Sequence, residues 1–521
     1  MFFTSLGFVL FLACLFVGYY TIFRRFQWQL LLVGSFFFYA FSGFSNLVYI
    51  SATICSTWFV SRQIVRLRLI QAQHIADNPE LTKDEKRAYK AKIGKRQRIW
   101  LASCLLFNFT ILGIVKYTDF VLRNSNALFG TDFAPVNFLL PMGISFFTFQ
   151  TMGYIIDVYR GSENEPNLFK LALFTSFFPQ LIQGPISRFG DLKKTLFSRH
   201  VFDFAVFQSG GARVAWGFFK KLVVADRMIV ATRELVITPG EYTGFYVILT
   251  VLFYAIALYA DFTGGIDITI GIAKMLGITV KENFIRPFYA TSTADYWRRW
   301  HITMGTWFKD YLFYPISASK TMLRVFKWSR RVFGDQLGKR IPIYISTIIL
   351  WFATGLWHGA EWNFIVWGLA NGIVIVISEE LKPLYARFHN RFPVGEKLWY
   401  HGFQVFRTFW LMSFIRTLDV YADVGHTIRM YWSIITDFGW DRFMNTGLGG
   451  LGLDAAEYVV VAISILVMIV VGHFHYVKGV NFSELKSDYR SLIIAALIFV
   501  IIIFGVYGYG YDSQQFIYNQ F

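Results

Sequence analysis

Long apolar runs, separated by short polar segments, recur along most of the chain. Several run for ~18 residues or more, the length that a helix needs to cross about 30 Å of hydrocarbon. This pattern predicts an all-α polytopic membrane protein with roughly 10–12 spanning or re-entrant helices. The clearest predicted spans are Ser5–Phe23, Leu47–Ser61, Trp100–Leu122, Phe138–Tyr159, Phe245–Ala260, Ile341–Trp357, Phe364–Ser378, Val405–Phe414, Tyr458–Gly472 and Leu492–Gly505.

Composition supports this prediction, because 55% of the residues are hydrophobic and only 16% are charged. We predict a single transmembrane domain over residues 1–521. Residues 62–98 contain eleven basic and four acidic residues and are expected to form a helix at the cytoplasmic surface. Residues 293–380 are expected to form the core helices, which contain the candidate catalytic residues named below, and residues 455–510 two additional C-terminal spans. Met1–Phe23 lacks a basic leading region and a cleavage site, so we expect a retained span.

The formal net charge is +17, from 50 Lys and Arg against 33 Asp and Glu. The basic residues gather between apolar runs, which is the distribution that the positive-inside rule describes for cytoplasmic loops. We therefore expect no nucleic-acid partner. Membrane lipid is the expected environment, in the cytoplasmic (inner) membrane, with both termini on the outer side. Lys193, Lys194, Lys220 and Lys221 are expected to mark further cytoplasmic contacts.

Generic site motifs do not identify a functional site in this sequence. The three cysteines, Cys14, Cys55 and Cys104, lie in apolar surroundings and form no CxxC pair, so we expect neither a disulfide framework nor a metal site. A Walker P-loop and a GxSxG nucleophile elbow are also missing. The sequence thus predicts no metal and no covalent nucleophile of these kinds.

The first candidate site is "TADYWRRWHITMGTWFKDYLFYP", Thr293–Pro315. If Asp295–Phe313 is one helix, His301 lies among aromatic residues, while Arg299 and Asp310 share a stripe. Charges are costly in lipid, so one interpretation is a helix that lines a cavity. The other is an interfacial helix with an Arg–Asp pair and a tryptophan belt. The lining residues expected from this segment are Trp297, Arg298, Arg299, Trp300, Trp307 and Asp310.

The second candidate site is "TGLWHGAEWNFIVWG", Thr354–Gly368. His358 follows an uncharged span, beside Trp357 and Gly359, where close helix packing would leave a channel. A buried neutral histidine suits a general base near pH 7, although a structural histidine between helices is an equal alternative. Glu361 would orient the imidazole if the helix continues, or would cap the next span.

Two further segments supply weaker candidates for a cavity lining. "FFPQLIQGPISRF" (Phe177–Phe189) interrupts an apolar run with two prolines and a glycine, which is tolerated where the backbone is buried in protein or lines a wet cavity. "YADFTGGID" (Tyr259–Asp267) places two aspartates beside glycines. Gln180 and Asp261 are the residues expected to contribute.

These motifs, together with "LPMGISFFTFQTMGYIIDVYRG" (Leu140–Gly161) and the final "QQFIYNQF", resemble the membrane-bound O-acyltransferase family. The likeness is strongest to its bacterial polysaccharide branch, of the alginate O-acetyltransferase type. Two departures concern the acceptor: Ser317-Ala318-Ser319 stands where the branch often has Gly-Gly, and Ala260–Gly265 differs from the usual Phe-Asp-Phe-Ser-Gly-Tyr.

The resemblance implies a helical fold around a central tunnel, with His358 matching the family's invariant histidine and His301 its second histidine. It implies acetyl-CoA as donor substrate, with no resident cofactor. His358 is then expected to act as general base, and His301 to stabilise the oxyanion or hold the acceptor. The acetyl group would reach an exported polysaccharide, usually through an extracytoplasmic SGNH-type partner.

Three alternatives to a polysaccharide O-acetyltransferase follow from the sequence. The D-alanyl transfer subunit of teichoic acid synthesis is a similar relative, although it is typically shorter. A polytopic transporter also contains broken spans and charges at membrane depth, but we find no inverted repeat. A scaffold of a secretion complex would not need His358 in a tryptophan-lined gap.

Overall fold

The computed structural model describes residues 3–181, 183–238, 240–421, 423–478 and 485–507. Every regular element within these ranges is helical, and no strand occurs among them, which confirms the all-α prediction. The final "QQFIYNQF" lies outside the described residues. Internal contacts divide the chain into two compact units, Met1–Phe207 with Ala273–Val280, and Gln208–Ile272 with Lys281–Phe521. The single-domain assignment stays a prediction.

The first unit contains the helices before residue 208. Their bounds are α1 Leu6–Val17, α2 Gln27–Ala40, α3 Asn46–Asp77, α4 Lys83–Phe129, α5 Ile144–Arg160, α6 Leu168–Ser176, α7 Phe178–Leu181 and α8 Phe189–Leu196. The polar segment 62–98 is helical, but it forms the ends of α3 and α4 and the turn between them. Thr82 and Glu85 start α4 with a reciprocal capping box, which satisfies backbone N–H groups that a helix end leaves unpaired.

The second unit contains most of α9, all of α10, most of α11 and every helix after α11. The bounds are α9 Phe204–Phe218, α10 Asp226–Ile237, α11 Phe245–Met275, α12 Thr293–Arg299, α13 Ile302–Phe308, α14 Tyr314–Ser317, α15 Lys320–Gly338, α16 Ile341–His358, α17 Trp362–Glu380, α18 Lys382–Arg391, α19 Leu398–Arg416, α20 Val424–Thr436, α21 Trp440–Thr446, α22 Ala455–Lys478 and α23 Ser487–Phe504. A π-helical segment, Phe219–Ala225, joins α9 to α10.

Six of the described helices are long and apolar enough to cross a membrane. They are α4, α11, α16, α17, the segment Ala455–Phe474 of α22, and α23. Leu6–Ile22 is a shorter apolar helix. Other predicted spans, such as Val405–Phe414, lie in helices that fall outside this set, and Phe138–Tyr159 is helical only from Ile144. The chain is therefore a multi-pass membrane protein, and a central tunnel stays a prediction.

The hairpin of α16 and α17 positions the second candidate site. A methyl group on Gly368 would lie 2.4 Å from the carbonyl oxygen of Trp351 and 2.9 Å from Cα of Gly355. The two backbones therefore meet at a distance that only glycine permits. At the other end of the hairpin, Arg340 forms a 2.7 Å ion pair with Glu380. These contacts fix α16 against α17, and His358 is the last residue of α16.

Candidate active site

The first histidine motif is broken at its centre. α12 ends at Arg299, Trp300 is extended, and His301 has φ 46° and ψ 51°, before α13 begins at Ile302. The prediction of one helix over Asp295–Phe313 is therefore wrong, and so is the stripe that would join Arg299 to Asp310. A left-handed conformation costs free energy in a residue other than glycine, so the surrounding contacts must enforce it.

Asn283 supplies those contacts. Its backbone carbonyl accepts a 3.0 Å hydrogen bond from the N–H of Ile302. Its side-chain oxygen accepts from the Thr303 N–H at 3.0 Å and the Thr303 hydroxyl at 2.9 Å, and it lies 3.3 Å from Nδ1 of His301. Asn283 and His301 are both completely buried. The sequence prediction missed this asparagine, and no motif signals it.

One tryptophan brings the two predicted histidines together. The indole of Trp357 lies 6.0 Å from the imidazole of His301 and 4.9 Å from that of His358, between ring centroids. His358 also meets the indole of Trp367 at 4.5 Å. All of these side chains are buried. Two imidazoles that are far apart in the sequence thus share one aromatic enclosure.

Each of the three tryptophans predicted from the first motif packs against another aromatic ring. Trp297 joins the enclosure, because its ring meets Trp351 at 4.6 Å and its Nε1 donates to Asn371 at 3.2 Å. Trp300 stacks on Tyr296 with 5.6 Å between centroids. Trp307 packs on Phe308, which contacts Trp357 in turn.

The charged residues of this motif have a different arrangement from the predicted one. Arg299 pairs with Asp295 at 2.9 Å, one turn earlier in α12, so the proposed Arg299–Asp310 pair is not the observed one. Arg298 forms a weaker 3.4 Å contact with the same carboxylate, and its side chain is 69% exposed. Asp310 is partly exposed, in the π-helical turn after α13.

The second histidine lies at a helix end. α16 stops at His358, Gly359 is extended, and Glu361 occupies the N-cap position of α17. The helix does not continue, so the condition for Glu361 to orient the imidazole is not met, and its exposed side chain makes no capping hydrogen bond either. A methyl group on Gly359 would lie 2.0 Å from the ring of Phe364, so this ring fills the expected gap.

Burial keeps the first histidine neutral. Desolvation and the positive charge of Arg416 lower the pKa of His301 to about 3. This side chain is outside the six apolar spans. Its imidazole therefore carries no charge near pH 7 and does not repel the guanidinium of Arg416. The neutral ring can form hydrogen bonds with an uncharged partner.

Comparisons with known proteins assign the family. The model of the membrane-bound O-acyltransferase family matches residues 156–418. The probable alginate O-acetylase AlgI of Azotobacter vinelandii is 33% identical over 390 residues, which cover 73% of this chain and 69% of the relative. This chain belongs to the membrane-bound O-acyltransferase family. Membership supports an acyltransferase enzyme, as predicted, over a transporter or a scaffold.

Two further similar members of the family carry different names. A peptidoglycan O-acetyltransferase of Helicobacter pylori is 31% identical over 390 residues, which cover 70% of this chain and 66% of the relative. A teichoic acid D-alanyltransferase of Bacillus subtilis is 27% identical over 249 residues, 46% of this chain and 59% of that protein. The chain spans about two thirds of the length of its O-acetylating relatives, and less of the D-alanyltransferase.

The region that matches the family also contains a buried cation that the sequence prediction missed. Arg416, at the end of α19, lies with Cζ 4.9 Å from the centroid of Trp367 and forms a 3.0 Å ion pair with Asp419. The hydroxyl of Tyr254 donates to the same carboxylate at 3.0 Å. The available signal was an Arg and an Asp, three residues apart, at the end of an apolar run.

Asp261, a predicted lining residue, belongs to a buried ion-pair network. Its carboxylate lies 2.7 Å from Nζ of Lys221, which also contacts Asp226 at 2.8 Å. Lys220 pairs with Asp267 at 2.5 Å. Both lysines are buried, so their prediction as cytoplasmic contacts is wrong. Every residue of the π-helical segment Phe219–Ala225 is buried, including both lysines.

Gln180 lies in the first unit, where its side-chain oxygen accepts a 2.6 Å hydrogen bond from Ser187. A methyl group on Gly184 would lie 2.1 Å from Cα of Gln180, so the broken segment is tightly folded on itself. Its role as a lining residue stays a prediction. Among the described residues, no group of three His, Cys, Asp or Glu side chains is arranged to hold a metal ion.

Proposed function

We propose that this chain transfers an acetyl group from cytoplasmic acetyl-CoA for the O-acetylation of an exported cell-surface polysaccharide. The observation that carries the proposal is the enclosure in which Trp357 contacts both His301 and His358. Relatives at 31–33% identity are named for alginate and peptidoglycan O-acetylation, which supports acetyl as the acyl group. Both named acceptors are glycans of the cell exterior.

His358 is the general base of the proposed reaction. Its imidazole removes the proton from an acceptor hydroxyl while the hydroxyl oxygen forms a C–O bond to the acetyl carbonyl carbon. The C–S bond of the thioester then breaks, and the imidazolium returns the proton to the thiolate, which leaves as the CoA thiol. A positioned base contributes roughly 10²–10⁴-fold to such a step. His301 holds the acceptor within the same enclosure.

The donor and the acceptor approach from opposite sides in this proposal. Basic segments such as residues 62–98 face the cytoplasm, where Lys and Arg suit the phosphates of CoA. Both termini are outside, and an SGNH-type extracytoplasmic partner completes the transfer to the polysaccharide. The chain resides in the cytoplasmic (inner) membrane.

The proposal is tested by replacing the chromosomal gene in its own host, so that any partner is present. O-acetyl esters in the purified surface polysaccharide are measured for wild type, His358→Ala and the exposed-histidine control His401→Ala, at equal protein levels. We expect esters to be lost only in His358→Ala. Membrane vesicles with labelled acetyl-CoA should show the same pattern.

Two results would contradict the proposal. Normal ester content in His358→Ala would remove the general base. Unchanged ester content after deletion of the whole gene, with loss of D-alanyl esters, would favour the D-alanyl transfer alternative that the more distant relatives represent.

A further inference from the structure

The side-chain oxygen of Asn283 contacts three polar atoms of residues 301–303. Two come from Thr303, whose backbone N–H lies at 3.0 Å and whose hydroxyl lies at 2.9 Å. A backbone N–H can only donate, so the atom of Asn283 that faces it must be the carbonyl oxygen and not the amide nitrogen. The third contact, from Nδ1 of His301 at 3.3 Å, reaches the same oxygen.

This oxygen determines which nitrogen of His301 bears hydrogen. Because a carbonyl oxygen only accepts, Nδ1 must be the donor. A neutral imidazole has one N–H, so Nε2 then carries the lone pair. The low pKa of His301 agrees with a neutral ring, since burial and Arg416 both oppose a second proton.

Asn283 is itself held from two directions. The neighbouring Glu282 forms a bidentate pair with Arg213, at 2.5 and 2.6 Å. On the other side, the Asn283 carbonyl accepts from Ile302 at 3.0 Å. A planar guanidinium that binds both oxygens of one carboxylate restricts its orientation, so the segment that presents Asn283 is restricted as well.

We propose that Asn283 is a positioning residue that fixes His301 as the Nδ1–H tautomer and keeps Nε2 as a hydrogen-bond acceptor. This inference rests on the proposed function for its consequence: His301 accepts a hydrogen bond from a non-reacting hydroxyl of the acceptor while His358 removes the reacting proton. A neutral Nε2 cannot donate to an oxyanion, so of the two roles expected for His301 the geometry favours holding the acceptor.

The tautomer can be measured without any activity. The full-length protein, labelled with ¹⁵N-histidine and reconstituted in lipid, is studied by solid-state NMR, and the His301→Gln variant identifies the signals of His301. We expect an N–H-type Nδ1 and a lone-pair-type Nε2 in the wild type. In Asn283→Leu, the fixed tautomer should be lost. An N–H-type Nε2 in the wild type would overturn the inference, as would an unchanged spectrum in a folded Asn283→Leu.

A second variant tests the consequence for transfer. Asn283→Asp keeps the accepting oxygen and adds a negative charge beside Nδ1, which favours the imidazolium. Among the described residues, Arg416 opposes a proton on this ring, and the titratable His358 lies across Trp357 from it. Acetyl transfer should gain an acid limb, falling about tenfold per pH unit below the raised pKa of His301.

The matched control is Asn167→Asp, the same change at the N-cap of α6, where an aspartate caps as well as an asparagine. It should keep the wild-type pH profile. Identical profiles in Asn283→Asp and Asn167→Asp would overturn the positioning role while leaving the proposed function intact. Absence of transfer in the wild type would refute the proposed function, and the NMR result would still decide the tautomer.

Discussion

The guanidinium of Arg416 lies over the indole of Trp367, and the imidazole of His358 contacts the same indole. The cation is 8% exposed, and Asp419, its partner, is fully buried. A buried charge pair is thus built against the ring that supports the candidate base. Its loss should affect both the fold and the site.

We predict that Arg416→Gln destabilises the protein by about 3–5 kcal/mol, because it leaves the Asp419 carboxylate buried without its cation. Thermal unfolding in detergent measures the effect. The double variant Arg416→Gln with Asp419→Asn should recover most of the stability but not the proposed acetyl transfer, since the contact with Trp367 is still absent. Full recovery of transfer would show that the pair acts on the fold alone.

A second prediction concerns the hairpin of α16 and α17. Gly368→Ala should lower stability by roughly 1–3 kcal/mol or more, because its methyl group would lie 2.4 Å from a backbone oxygen, which cannot rotate away. The proposed acetyl transfer should fall with it, because His358, the proposed general base, is the last residue of α16. The matched control is Gly402→Ala in α19, where nothing beyond the chain neighbours and the backbone of its own helix lies within 4 Å of the added methyl group. Equal melting temperatures for the two variants would contradict this account of the hairpin.

The buried lysine pair gives a third prediction. Lys221→Met should cost about 3–5 kcal/mol, because the Asp226 and Asp261 carboxylates lose their shared cation. Adding Asp226→Asn and Asp261→Asn should restore much of the stability, since the two carboxylates that Lys221 paired with are then no longer charged. The yield of folded, monodisperse protein and its thermal midpoint are the measurements. If the triple variant is less stable than Lys221→Met, the ion-pair explanation fails.

The fourth prediction follows from the pKa of His301. The folded state does not protonate this ring until about pH 3, whereas an unfolded histidine binds a proton below about pH 6.5. Unfolding therefore takes up a proton in this interval, and stability should fall by up to about 1.4 kcal/mol per pH unit as the pH drops. In His301→Gln this part of the acid sensitivity should disappear, whereas the exposed His401→Gln should keep it. The same change of melting temperature with pH in all three proteins between pH 5 and 7 would refute the low pKa of His301.

The sequence by itself determined the membrane class, the main apolar helices and the two histidines, because each depends on local composition or on a family motif. Hydropathy over a single segment is enough to recognise α16 and α17, and the glycines near His358 indicated close packing. The family comparisons confirm the membrane-bound O-acyltransferase family that those motifs indicated.

Only the tertiary structure decided how the site is put together. The break at His301 depends on Asn283, and helical periodicity carries no information about a partner outside the helix. Arg299 pairs with Asp295 and not with Asp310. The break at His301 ends the helix that would have placed Arg299 and Asp310 on one face. The sequence predicts Lys220 and Lys221 as cytoplasmic contacts, but both are buried and form ion pairs with carboxylates from α10 and α11. In each case the deciding interaction lies between segments that a reading of local pattern treats separately.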